Sequence, residues 1–240
     1  MQVTTKAIVI NSVKYGDHGL IVKCYTEEEG VKSYILRGVL KQKKGKINKS
    51  QFLPLTILQI NASHNNKGSL NSILEAKVIH LFHTLHTHFL KQSIVFFLSE
   101  FLTSVLREEE GENQVLFEFL ESAILWLDHH DQVANFHLKF LIELTKCLGF
   151  YPDETGMEKG YFFDLSEGKY VLRQGANILQ GDNLALFNKA LGIKFDVLDQ
   201  TLFHKNQRGV VLDLLLKYYQ LHLPSFRRPK SIDILSKVLE

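Results

Sequence analysis

Cysteine is nearly absent from this 240-residue chain: Cys24 and Cys147 are the only two, too few for a disulfide framework. Both lie among apolar neighbours, where a free thiol behaves as a small buried hydrophobe, in keeping with a reducing compartment. Long apolar runs are lacking too. The greasiest stretch, Ser93 to Leu106, is broken by Ser99, Glu100 and Ser104, short of the roughly 18 uninterrupted apolar residues of a membrane span. No membrane partner is therefore expected. The opening residues Met1-Gln-Val-Thr-Thr-Lys-Ala-Ile have no apolar core or cleavage site of a secretory signal, so the expected location is the cytoplasm. Catalytic signatures are missing as well. There is no nucleophile elbow, no phosphate-cradling glycine loop followed by Lys-Ser/Thr, and no dinucleotide fingerprint. Glu108, Glu109, Glu110 and Glu112 have the look of a solvated helix end, not of carboxylates held beside apolar strands. The expectation is a protein that is not an enzyme and needs no cofactor. Disorder is excluded, because apolar residues make up 45% of the chain.

What is present is unevenly charged. Residues 1–80 carry twelve Lys and Arg against five Asp and Glu, residues 81–160 five against thirteen, and residues 161–240 eleven against eight. The net +2 thus conceals a basic first third at +7 and an acidic middle at −8. A basic third suits phosphates, and an acidic neighbour suggests a second, separate surface.

The hydrophobic period changes where the charge does. Up to residue 80 the chain is a succession of strand patterns: Thr4 to Val13, Leu20 to Thr26, Val31 to Val39, Phe52 to Ile60 and Leu70 to Ile79. Gly16-Asp17-His18-Gly19, Glu29-Gly30 and the polar stretch Asn61 to Gly68 supply the turns. Five short strands match a closed barrel of the OB type, whose closure removes exposed edges. From about Leu81 apolar residues recur at three- to four-residue steps (Leu85, Phe89, Ile94, Phe97, Phe101, Val105), the period of an amphipathic helix. Further helices are expected at about Asn113 to His129, Val133 to Leu148, Asp182 to Leu191 and Gln207 to His222. Gly156, Gly160, Gly168 and Gly175 break the pattern around Tyr161 to Tyr170, where a small β-hairpin is expected. The fold class is α+β: an N-terminal five-stranded OB-fold barrel at 1–80 and a mainly helical domain at 81–240 with a β-hairpin insertion.

The densest motif is the loop Lys41, Lys43, Lys44, Lys46 and Lys49, with Arg37 just before it and Gly45 to let it bend. So many ammoniums repel one another unless an anion is near. A loop between barrel strands is where OB folds commonly meet nucleic acid; the plain alternative is a solvated basic loop. Arg227, Arg228 and Lys230, stiffened by Pro224 and Pro229, form a second basic cluster that extends this surface or is a solvated tail. Tyr15, Tyr25 and Tyr34 lie on the barrel and are candidates for stacking on bases, against the alternative that they belong to its core. His80, His83, His86 and His88 cluster at helical spacing, yet no acidic or thiol partner completes a metal pattern, so no metal is expected. Phosphate contacts give affinity, not sequence specificity.

Several short stretches carry a resemblance. They are Lys6-Ala-Ile-Val, Tyr15-Gly16, Leu20-Ile-Val, Tyr25-Thr26 with Gly30, Arg37-Gly38, the lysine-rich segment 41–49, and Phe52-Leu-Pro-Leu. Cys147-Leu-Gly-Phe-Tyr-Pro152 and Tyr218-Tyr-Gln-Leu-His222 follow in order. The chain resembles the RecO family of DNA repair and recombination proteins. The resemblance implies a recombination mediator at the nucleoid, in the RecFOR pathway. Such a protein binds single- and double-stranded DNA, anneals complementary strands, and helps load RecA onto DNA coated with single-strand binding protein. The implied protein partners are RecR and the acidic C-terminal tail of the single-strand binding protein. A tail of that kind needs an apolar pocket rimmed by cations, and Lys139 and Lys146 are the candidates for it. Many members carry two Cys-x-x-Cys pairs that bind zinc after the Leu-Gly-Phe-x-Pro segment. This chain has no cysteine there, so the region at about 153–175 is a degenerate zinc-finger-like segment. Either packing of Tyr161, Phe162, Phe163 and Tyr170 replaces the metal, or this stretch aligns differently. The alternative function from another class is an OB-fold interaction module for RNA or an acidic protein.

Overall fold

A computed structural model describes residues 1–41, 47–64, 70–107, 109, 111–159, 161–172, 175–195 and 202–239. The chain divides into two compact units, Met1–Asp128 and His129–Glu240. In this division the first two helices belong with the barrel.

The first unit begins with strands β1 (Gln2–Tyr15), β2 (Gly19–Thr26), β3 (Gly30–Leu36), β4 (Ile57–Ser63) and β5 (Asn71–Val78). They close into a barrel in the order β1-β2-β3-β5-β4, so the expected OB-fold barrel is the architecture found. β1 serves twice: its first half pairs with β4 from Gln2↔Ser63 to Ile8↔Ile57, and its second half pairs with β2 up to Tyr15↔Gly19. A bulge between Val9 and Asn11 lets the strand bend between its two partners. Alternation sends Ala7, Val9, Leu20, Val22, Cys24, Tyr34, Leu36, Ile60 and Ala62 inward. The segment after β3 joins this core through Val39 and Phe52.

Helices α1 (Phe89–Val105) and α2 (Gln114–His129) pack on the barrel in the same unit. Ser99 donates to the Ile10 carbonyl at 2.6 Å, the Tyr25 hydroxyl donates to the Asn113 carbonyl, and the Tyr25 ring stacks on Phe117 at 6.2 Å. The β2–β3 turn approaches the α1–α2 loop so closely that a Cβ on Gly30 would stand 2.3 Å from the Gly111 carbonyl oxygen.

Two sequence expectations shift for physical reasons. The strand expected from Phe52 begins only at Ile57. Lys49–Phe52 is a 3-10 turn, and Pro54 is followed by Leu55 in the left-handed region at φ 62°, which a strand cannot accommodate. The helix expected from about Leu81 starts at Phe89. Residues 80–88 instead wrap the end of α2, where the Asp128 carboxylate accepts the N–H groups of His83, Thr84 and Leu85 at 3.0, 2.8 and 2.8 Å. Lys91, 1% exposed, donates to the Asp128 carbonyl and the Thr84 hydroxyl.

The second unit contains α3 (Phe136–Cys147), a three-stranded sheet of β6 (Phe162–Asp164), β7 (Lys169–Val171) and β8 (Ile178–Leu179), then α4 (Gly181–Leu191), α5 (Lys205–His222) and α6 (Ile232–Val238). The expected hairpin is β6–β7, with β8 added on the other edge of β6. No sequence pattern pointed to α6, a short helix at the end of the chain.

Candidate nucleic-acid interface

The β1–β2 turn and the segment leaving β3 meet at one end of the barrel. Register sets this: Tyr15 pairs with Gly19, Lys14 with Leu20, and Leu20 with Leu36. The chain therefore leaves β3 beside the turn. The Leu40 N–H then donates to the His18 carbonyl at 3.1 Å, and the Lys41 N–H to the Gly38 carbonyl at 3.0 Å. Gly38 at φ 72° makes that tight reversal without strain. Lys14, Tyr15, His18, Arg37 and Lys41 all stand exposed here.

Of the residues singled out in the sequence, Arg37 and Lys41 are thus brought together with Tyr15, which is 53% exposed. Lys49 is exposed at the head of the 3-10 turn. Lys43, Lys44 and Lys46 lie outside the described residues. Tyr25 and Tyr34 have to be withdrawn as stacking residues, because they are 1% and 0% exposed. Tyr34 points into the core and its hydroxyl meets His64 Nε2 at 2.9 Å, while His64 Nδ1 meets Glu29 at 2.8 Å. Burial pushes the Tyr34 phenol far above its ordinary value. Tyr25 points outward, but Phe117 covers it. Lys14 and His18 were not singled out in the sequence as contacts for a ligand, although Lys14 precedes the turn Gly16 to Gly19 and His18 lies within it, and the position of that turn was a sufficient signal.

The histidines expected at helical spacing are not on a helix. His86 contacts the Pro54 carbonyl at 2.9 Å, and His80 pairs with Glu121 at 3.6 Å.

The N-terminal family model of Recombination protein O matches residues 1–82, and its C-terminal model matches residues 86–231. This chain belongs to the Recombination protein O family. It is 44% identical over 238 residues to the DNA repair protein RecO of Flavobacterium psychrophilum and equally to that of Flavobacterium johnsoniae, with 99% of each chain covered. The DNA repair protein RecO of Bacteroides fragilis is 32% identical over 240 residues, with 98% of each covered. No helix among the described residues is long and apolar enough to cross a membrane.

Within this family chain the second unit holds the remaining sequence candidates. Lys139 and Lys146 share one counter-ion: Glu143 lies 2.5 Å from the first and 2.9 Å from the second. Burial alone would raise the Glu143 carboxyl, yet hydrogen bonds from the two ammoniums bring it below its ordinary value. Lys139 is 7% exposed and lies 6.0 Å from the Phe195 ring, and Lys146 lies 4.5 Å from that of Tyr151. The open cationic rim expected for a peptide carboxylate is closed by Glu143. Arg227, Arg228 and Lys230 are exposed, with Arg228 paired to Asp213.

In the 153–175 region Phe163 and Tyr170 are buried and pack edge to face at 5.0 Å, and Phe187 and Tyr218 close on Phe163 at 4.8 and 6.3 Å. Tyr161 and Phe162 are only half-buried. The aromatic packing comes from Phe163 and Tyr170 together with α4 and α5.

Proposed function

We propose that this protein binds DNA through the open barrel end and acts as a recombination mediator without covalent chemistry on the strand. The observation that carries this reading is the exposed set Lys14, Arg37 and Lys41 around Tyr15 at the β1–β2 turn. Three cations on one rim attract a phosphate backbone and release its counter-ions. Lys43, Lys44 and Lys46, outside the described residues, follow Lys41 within five positions in sequence. Arg227 and Lys230 are a second, weaker contribution.

Annealing of complementary strands follows from the same chemistry. A basic rim that screens two backbones lowers the repulsion between them, and pairing then needs no catalytic group. Membership of a family of DNA repair proteins supports extending the reading to RecA loading, with RecR and the acidic tail of single-strand binding protein as partners. At Lys139 and Lys146 such a tail has to displace Glu143.

The test is a titration of labelled single-stranded DNA, duplex and RNA at two salt concentrations, read by fluorescence anisotropy. Tight DNA binding that weakens steeply with salt is the expected result. Binding of RNA alone, or no binding to any nucleic acid, favours the interaction module and overturns the DNA reading. Annealing is read separately from the rate at which complementary labelled strands pair.

A further inference from the structure

Helix α1 is buried on every side but one. Apart from Leu90, its residues that are not buried are Phe89, Gln92, Phe96, Glu100 and Thr103. They recur at three- and four-residue steps and so fall on a single stripe. The first half of that stripe is aromatic, with Phe89 69% and Phe96 59% exposed. It carries no charge between the two rings, because Lys91 turns inward to the Asp128 carbonyl. One exposed apolar side chain needs no explanation, but two phenylalanines on one stripe beside the exposed Leu53 make a patch.

Beside Phe96 a slot of about 160 Å³ opens, lined by Leu53, Pro54, His86, Gln92 and Val95 together with Phe96 itself. An apolar space of that order takes one aromatic ring. The backbone holds the slot in shape. Leu55, fully buried, stands at φ 62° and donates its N–H to the Val9 carbonyl at 2.7 Å. A left-handed leucine is strained, and strain of this kind collects at binding surfaces. His86 braces the same segment through the Pro54 carbonyl. The start of α1 is left uncompensated: His88 at the N-cap makes no side-chain hydrogen bond to it, and the first turn holds no acidic residue. A helix end in that condition favours a carboxylate.

We infer that this face docks a second copy of the chain, the two α1 helices lying antiparallel about a two-fold axis. The stripe is complementary to itself. When Phe96 of one copy comes beside Gln92 of the other and enters its slot, Glu100 comes beside His88 at the uncapped helix start. Both pairs have Ile94 as their midpoint in sequence, so one axis satisfies them together and each contact is made twice. A polyanion finds no cation between the two phenylalanines, which separates this face from the barrel rim. The exposed parts of Phe89, Phe96 and Leu53 amount to roughly 300 Å² of apolar surface per copy. A standard interface buries about 800 Å² per partner, so the pair is weak and depends on concentration. Under the DNA-binding reading above, a pair carries two barrel rims, but the association does not rest on that reading.

The experiment is sedimentation velocity of the full chain without nucleic acid, from about 5 µM to about 500 µM. The wild type should move from the mass of one chain, 27.6 kDa, towards twice that mass as concentration rises. Phe89→Ser/Phe96→Ser replaces two exposed side chains, keeps its fold, and should weaken association at least about tenfold. Glu100→Lys brings a cation to the partner's helix start and should weaken it about fivefold. Adding His88→Asp to Glu100→Lys should restore it to within about twofold of wild type, because the two charges have exchanged places. A wild type that stays monomeric throughout the range overturns the proposal and leaves the stripe to a helix of another protein. Association of Phe89→Ser/Phe96→Ser at wild-type strength overturns it too. Failure of His88→Asp to rescue Glu100→Lys overturns the antiparallel arrangement.

Discussion

In the barrel unit Lys14, Arg37 and Lys41 stand exposed around one turn, while in the helical unit Lys139 and Lys146 both close on Glu143 and Arg228 closes on Asp213. The first arrangement leaves positive charge available to a ligand. The second satisfies it locally and turns it into structure. Basic residues in sequence are therefore a poor guide to a nucleic-acid surface until their counter-ions are known, and here the two units of one chain separate the two outcomes.

The comparison can be attacked where charge is most deeply built in. In the barrel unit that is Asp128. Burial raises its carboxyl, but hydrogen bonds from the His83, Thr84 and Leu85 N–H groups and the Thr84 hydroxyl outweigh this and bring it below its ordinary value. Asp128→Ala leaves three N–H groups without their acceptor. It should destabilise the unit by about 4 kcal/mol, visible as a lower urea midpoint.

In the helical unit the corresponding group is His137, held neutral with a pKa lowered from 6.5 to about 3, first by burial and then by the Arg208 guanidinium, against a backbone hydrogen bond that raises it. The unfolded chain takes up a proton near 6.5 and the folded one does not. Stability is therefore full above 6.5 and is lost as pH falls from there towards 3. The loss should reach roughly 3 kcal/mol at pH 4.5. Melting followed from pH 7 to 4.5 should show it, and a folded His137→Gln variant should show a shallower decline.

Ligand binding gives the next effect. Arg37→Glu/Lys41→Glu should weaken DNA binding about a hundredfold, or about 2.7 kcal/mol, on single strand and duplex alike. Arg228→Ala/Lys230→Ala should change it less than about threefold. Equal effects from the two pairs would erase the distinction between the units. A modest effect on stability belongs to Glu143→Gln. Loss of the carboxylate leaves Lys139 buried without its ion pair and should lower stability by about 1–2 kcal/mol. It should also improve binding of a labelled acidic peptide, since it removes the carboxylate that competes for Lys139 and Lys146.

Much of this was legible from period and turn chemistry. Four of the five barrel strands and helices α2 to α5 fall where alternation and three- to four-residue spacing put them, while β4 starts five residues later than its pattern. What stayed hidden depends on contacts distant in sequence. Residues 80–88 have helical spacing, but Asp128, more than forty residues away, ties them into a loop. Tyr34 shares the inward parity of Leu36, so its burial was available from alternation. Tyr25 has outward parity, and only the placement of Phe117 removes it from the surface. Glu143 could have been read as a partner for both lysines from its i,i+4 and i,i+3 spacing on a helix.

The two cysteines fall one in each unit, and their surroundings differ. Cys24 is fully buried in the barrel core, and burial raises its thiol to about 12, while Cys147 is only half-buried. A thiol reagent in brief pulses will modify Cys147 while the barrel stays shut, and Cys24 only in molecules whose barrel has come open. The native chain thus contains two reporters with separate clocks. The rate at which the second thiol disappears, with and without a bound oligonucleotide, measures how firmly a ligand holds the barrel closed.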